Sequence, residues 1–187
     1  MSVKASTVPK PTTSAIDKKT YARMNALVVE DAAHMSSLIC GILKSIGIGR
    51  IFEARNGTDA LDILATQAID LLLITDLAPP LDGLNVVRQV RTAKLETTRN
   101  VPIVYITAKL QKTNIVAARD AGATEILSKP FSATQMITRI EQMFIKPRPL
   151  VKSEDFVGPD RRRREKSAVE RRRASDNSAK RETVNIS

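Results

Sequence analysis

The side chains best suited to chemistry in this 187-residue chain follow four short apolar runs. Residues 26–29 lead into Glu30 and Asp31, and residues 71–74 into Thr75 and Asp76. Residues 102–106 lead into Thr107, and residues 124–127 into Ser128, Lys129 and Pro130. Carboxylates with water are hard oxygen ligands, which suit Mg²⁺. Glu30, Asp31 and Asp76 are therefore the candidate metal ligands. A lysine and a hydroxyl beside such an ion can hold the oxygens of a phosphoryl group. Together the set suits phosphoryl transfer to a carboxylate, provided the fold brings these run ends to one place.

The periodicity predicts such a fold. Residues 26–30, 50–54, 71–74, 102–106 and 124–127 are short and largely apolar, as strands of a buried parallel sheet are. Between the first two, Met35, Leu38, Ile39, Ile42, Leu43 and Ile46 recur at helical spacing and Gly47 supplies a stop. Asn56-Gly57 turns into a helix carrying Ala60, Leu61, Leu64, Ala65 and Ala68. Pro79 and Pro80 force residues 78–83 into a loop, and Leu84, Val87 and Val90 open the next helix. Residues 110–121 form an Ala-rich helix ended by Gly122. Ser132 and Gln135 make a capping box ahead of Met136, Ile137, Ile140, Met143 and Phe144. Five βα units in about 120 residues imply an α/β fold, a doubly wound parallel sheet with helices on both faces. Such sheets place their sites at the carboxyl ends of the strands, where the polar residues named above fall.

Composition narrows the function. One cysteine, Cys40, excludes an intrachain disulfide and a multi-Cys zinc site, and one histidine, His34, excludes sites that need two. Trp is absent and aromatics are 3%, so a stacking platform for nucleic-acid bases is not expected. No apolar run reaches the roughly 18–20 residues of a membrane span, and residues 1–20 lack the apolar core of a secretory signal. A cytoplasmic, reduced location is expected. Cys40 reads as an inert core thiol and His34 as a solvated helix residue.

The net charge of +10 is carried by the ends. Residues 1–25 carry +4, residues 26–147 carry +1 and residues 148–187 carry +5. Both ends lack periodic apolar residues, so the expected division is a disordered basic tail at 1–22, one domain at 23–147 and a disordered Arg-rich tail at 148–187. The last contains Arg161, Arg162, Arg163 and Arg164, then Arg171, Arg172 and Arg173. A basic tail of this kind binds polyanions, whether nucleic acid or an anionic surface, or else simply keeps the chain soluble.

The middle of the chain resembles a known family. Val28-Val-Glu-Asp31, the Pro-x-x-Asp-Gly loop at residues 79–83, Ile106-Thr-Ala108 and Lys129-Pro-Phe131 are similar, in order and spacing, to the motifs of CheY-like receiver domains of two-component response regulators. The resemblance covers residues 25–146. It implies a flavodoxin-like sheet of order 2-1-3-4-5, Mg²⁺ at the acidic pair, an aspartyl phosphate after the third strand, and a histidine kinase as partner. It also implies a switch through Thr107, phosphate contact by Lys129, and a Lys129–Pro130 peptide that is often cis. Phe156-Val-Gly-Pro-Asp-Arg161 resembles a short segment found beside some bacterial signalling domains.

Two positions depart from the family pattern. Counting back four residues from Pro79, or seven from Asp82, puts the phosphoacceptor position at Thr75. Thr cannot form an acyl phosphate, so this register implies a pseudo-receiver. Asp76 can serve only if the strand is one residue longer and the loop one shorter, and a one-residue slip turns a strand side chain to the other face. The survival of Glu30, Asp31, Thr107 and Lys129 argues for a working site, so both positions stay open. The second departure is Ile126, which stands where the family carries an aromatic switch residue. The expected function is a single-domain signalling module of a two-component phosphorelay, acting by protein–protein contact and not as an enzyme. The alternative is a nucleic-acid- or anionic-surface-binding protein that uses its basic tails under receiver control.

Overall fold

The computed structural model describes residues 16–145, 147, 150–153 and 156–159. Five parallel strands, β1 (Asn25–Val29), β2 (Arg50–Ala54), β3 (Leu71–Thr75), β4 (Ile103–Thr107) and β5 (Glu125–Ser128), lie in the order β2-β1-β3-β4-β5. β3 and β4 are buried along their whole length, and β1 along all but its first residue, which accounts for their unbroken apolar sequence. The register pairs Val29 with Ile74, Thr75 with Ile106, and Thr107 with Ser128, so the polar run ends come out level along one rim.

The helices divide between the two faces. On one, α2 (Ala33–Ser45) and α7 (Ala133–Ile145) bring Ile39, Leu43, Met136 and Ile140 against Val28, Leu73 and Ile106. On the other, α3 (Gly57–Thr66), α4 (Gly83–Arg91) and α6 (Lys112–Ala121) bring Leu64, Val87, Val90 and Ala118 against Leu27, Ile74 and Tyr105. Each strand therefore alternates its side chains between two apolar layers. The expected caps are present. Asn56 caps α3 by accepting from the Asp59 amide, and Ser132 and Gln135 bond reciprocally at 2.8 and 3.2 Å. Gly122 ends α6 at φ +105°, a left-handed conformation that favours glycine. A short helix, α5 (Glu96–Asn100), precedes β4.

The expected tail boundaries need correction at both ends. A one-turn helix, α1 (Lys18–Tyr21), falls inside residues assigned from composition to a disordered tail. Its Tyr21 is buried in the core, and the Tyr21 carbonyl accepts from the Gly49 amide at 3.0 Å. Ile16 packs against the same core and Asp17 accepts from the Lys19 amide, so the turn is held although its other residues are Lys and Thr. At the other end, β6 (Leu150–Ser153) and β7 (Phe156–Pro159) pair antiparallel, and β7 lies against α6. Leu150, Val151, Phe156 and Val157 give the ribbon its apolar residues, and a two-stranded ribbon persists where it has a helix to lie on. Residues 160–187, with both Arg runs, lie outside the described residues, as do residues 1–15.

Candidate functional site

The rim is built from strand ends and the turns that follow them. Glu30 leaves β1 with its amide donating to the Ala54 carbonyl and its side chain only 2% exposed. One carboxylate oxygen accepts from the Ala32 amide at 3.1 Å, and the other from Lys129 Nζ at 2.9 Å. Lys129 is aimed there by its own backbone, whose amide donates to the Thr107 carbonyl at 2.8 Å, and the Lys129–Pro130 peptide is cis. Asp31 is exposed and makes no hydrogen bond or ion pair with the described residues.

Thr75 and Asp76 go separate ways. Thr75 is 1% exposed, and its hydroxyl donates to the Val29 carbonyl at 3.2 Å, across to β1. By strand alternation it shares a face with Leu71 and Leu73. Asp76 follows the parity of Leu72 and Ile74 on the other face. There its two oxygens accept from the Tyr105 hydroxyl and the Thr107 hydroxyl, each at 2.8 Å. Thr107 in turn accepts from the Lys109 amide at 3.0 Å. Burial, then the Asp76 hydrogen bond and charge, push the Tyr105 phenol far above its usual range.

The loop after Asp76 contains a second cis peptide, Pro79–Pro80. It ends at Asp82, which caps α4 by accepting from the Asn85 amide at 2.8 Å. A Cβ at Gly83 would overlap the Thr75 carbonyl, so only glycine lets α4 start this close to the end of β3. The carboxylate of the Asp-Gly pair thus holds a helix end.

Sequence placed Glu30, Asp31, Asp76, Thr107 and Lys129 on one rim. The structure joins Glu30 to Lys129 and Asp76 to Thr107 as two separate groups. Among the described residues no group of three or more His, Cys, Asp or Glu side chains is arranged to hold a metal ion by itself. Glu30, Asp76 and Lys129 each stand one residue beyond the end of their strand, so their partners are set by the turns that follow and not by the sheet. Ile126 is half-buried and pairs in register with Tyr105.

Tyr105 itself was missed as a site residue, since it reads as one more apolar member of its run. Its position two before Thr107 was the available signal, because residues two apart share a strand face. Cys40 is buried and its thiol is pushed up by that burial, while His34 is exposed. No helix among the described residues is long and apolar enough to cross a membrane.

A doubly wound five-stranded sheet with acids, a hydroxyl and a lysine on its carboxyl rim defines a receiver module of two-component signalling. Residues 26–141 match the response regulator receiver domain, and the chain belongs to that family. It is 37% identical over 117 residues to the transcriptional regulatory protein DltR of Streptococcus agalactiae, covering 63% of this chain and 50% of that one. The chain thus spans about half the length of that curated relative. It is 31% identical over 121 residues to the chemotaxis protein CheY of Pseudomonas aeruginosa, covering 65% of this chain and 96% of CheY. Among solved structures, the receiver domain of a Pseudomonas aeruginosa sensor histidine kinase is similar at a TM-score of 0.58 and 30% identity. The match covers 65% of this chain and 97% of that one, whose crystal structure has a magnesium ion coordinated in the active site cleft.

Proposed function

We propose that this receiver is a signalling module with an atypical acceptor site, which works by protein–protein contact with two-component partners, a histidine kinase among them. It turns over no small molecule of its own. The observation that carries this reading is the fate of Thr75 and Asp76. The residue in the acceptor register is a buried threonine whose hydroxyl is bonded to the Val29 carbonyl. The adjacent carboxylate is bonded to the Tyr105 and Thr107 hydroxyls, and Lys129 Nζ is bonded to Glu30. An acceptor needs metal and lysine on the same phosphoryl oxygens in line with the attack. The commitment of Lys129 to Glu30 and of both Asp76 oxygens to hydroxyls supports an atypical acceptor site.

Mg²⁺ fits this rim only in part. Glu30 and Asp31 would hold it with water, with no third carboxylate, and Glu30 already faces Lys129. Bound there, the ion would offset the negative charge of the pair. Weak binding is expected.

The test is labelling by acetyl phosphate of the wild type, Asp76→Ala and Thr75→Asp. The reading requires a silent wild type and gain of labelling in Thr75→Asp. Robust wild-type labelling that disappears in Asp76→Ala would establish Asp76 as a displaced acceptor and overturn the reading.

A further inference from the structure

The contacts of Asp76 suggest a role for this carboxylate other than accepting phosphate. Its oxygens are the acceptors for two hydroxyls on neighbouring β4, both belonging to buried residues. Thr107 has a single hydroxyl proton, and it is given to Asp76. The same oxygen accepts from the Lys109 amide, at the start of the connection into α6. Tyr105 has neighbours on two other elements. Ile126 pairs with it across the sheet, and a Cβ at Gly83 would stand 3.1 Å from its ring. Turning Thr107 away would leave a half-buried carboxylate oxygen short of a donor and take a bond from the Lys109 amide.

We propose that Asp76 is a positioning residue: a resident carboxylate that holds the Thr107 hydroxyl and the Tyr105 phenol in one arrangement without a transferred phosphoryl group. A phosphoryl group at the end of β3 would offer Thr107 a negatively charged oxygen, and Asp76 offers one permanently. The connection from β4 into α6 is then presented to partners in a single state, with or without a phosphodonor. The aromatic side chain in this arrangement comes from β4, beside the position where Ile126 stands on β5. This inference rests on the reading that the wild type carries no phosphoryl group, at Thr75 or at Asp76.

The experiment is amide hydrogen exchange and NMR on the full chain, with chelator present and no phosphodonor. In the wild type the Lys109 amide should be protected. Asp76→Ala should lose that protection as fully as Thr107→Val does, while Thr107→Ser should retain it. Should Asp76→Ala not fold, Asp76→Asn keeps the shape but offers a single acceptor oxygen for two hydroxyls. It should shift both the Tyr105 ring resonances and the Lys109 amide. Unchanged Lys109 protection in Asp76→Ala, or unchanged resonances in Asp76→Asn, would overturn the proposal even if acetyl phosphate labelling stays silent. Wild-type labelling that depends on Asp76 would instead overturn the reading beneath it.

Discussion

Lys129 Nζ sits 2.9 Å from Glu30 Oε2, and this ion pair ties the turn after β5 to the end of β1 across the sheet. Lys129 is a quarter exposed, whereas Glu30 is almost wholly buried. Removing the lysine leaves a buried carboxylate with only the Ala32 amide for company. Lys129→Met should therefore cost about 2–4 kcal/mol in urea unfolding. Adding Glu30→Gln should recover much of that loss. A single variant as stable as wild type would mean that water already screens the pair.

Arg91 should matter as much, for a different reason. It is 2% exposed and pairs with no carboxylate among the described residues. Its guanidinium donates to the carbonyls of Gly122, Arg99 and Val101 at 2.9, 2.7 and 2.8 Å, and to the Thr124 hydroxyl at 3.3 Å. Burial lowers its pKa to about 10. Arg91→Met should cost about 3–5 kcal/mol, since it strands several buried acceptors. Arg91→Lys should not rescue it, because a compact ammonium cannot span the same fork. Thermal unfolding of the two variants checks both statements.

Tyr21 gives an alkaline prediction. Its hydroxyl is buried without a hydrogen-bond partner among the described residues, and burial followed by the charge of Glu141 raises its pKa from 10.0 to about 12. A raised folded pKa means that stability is intact below pH 10.0 and falls as pH climbs toward about 12. The slope is roughly 1.4 kcal/mol per pH unit. Tyr21→Phe should equal or exceed wild-type stability at neutral pH, by up to about 1 kcal/mol. Its advantage should widen between these two pH values. Parallel stability curves for the two proteins across that window would refute the assignment.

Metal binding should be weak and centred on Asp31, the rim carboxylate with no protein partner among the described residues. Amide shifts near Asp31 should move only at millimolar Mg²⁺, and Asp31→Ala should abolish them. Thr75→Asp should tighten the site by restoring a third carboxylate. Saturation at micromolar metal in the wild type would contradict this.

The five strands and five main helices were readable because burial on both faces leaves unbroken apolar runs and helical stripes, while the strand order came only with the family resemblance. The rim residues were readable because strand ends carry them. The partner of each rim side chain was not. Sequence spacing put Thr75 in the acceptor register, but nothing in it says that the hydroxyl turns to Val29. Arg91 was one more basic residue at a helix end, and its burial depends on carbonyls 8 to 31 residues away. The β6–β7 ribbon was hidden by composition, since four apolar residues among charges do not register as a strand pair.

Arg91 also separates the two ends of the sheet mechanically. The carbonyls it gathers precede β4 and β5, at the amino ends of the strands, and it reaches them from the last turn of α4. The rim with Asp76, Thr107 and Lys129 lies at the opposite ends. One guanidinium thus clamps the base of three neighbouring units. The strand bases are thus fixed from the end away from the rim, so the edge that meets partners stands on a block anchored at its far side.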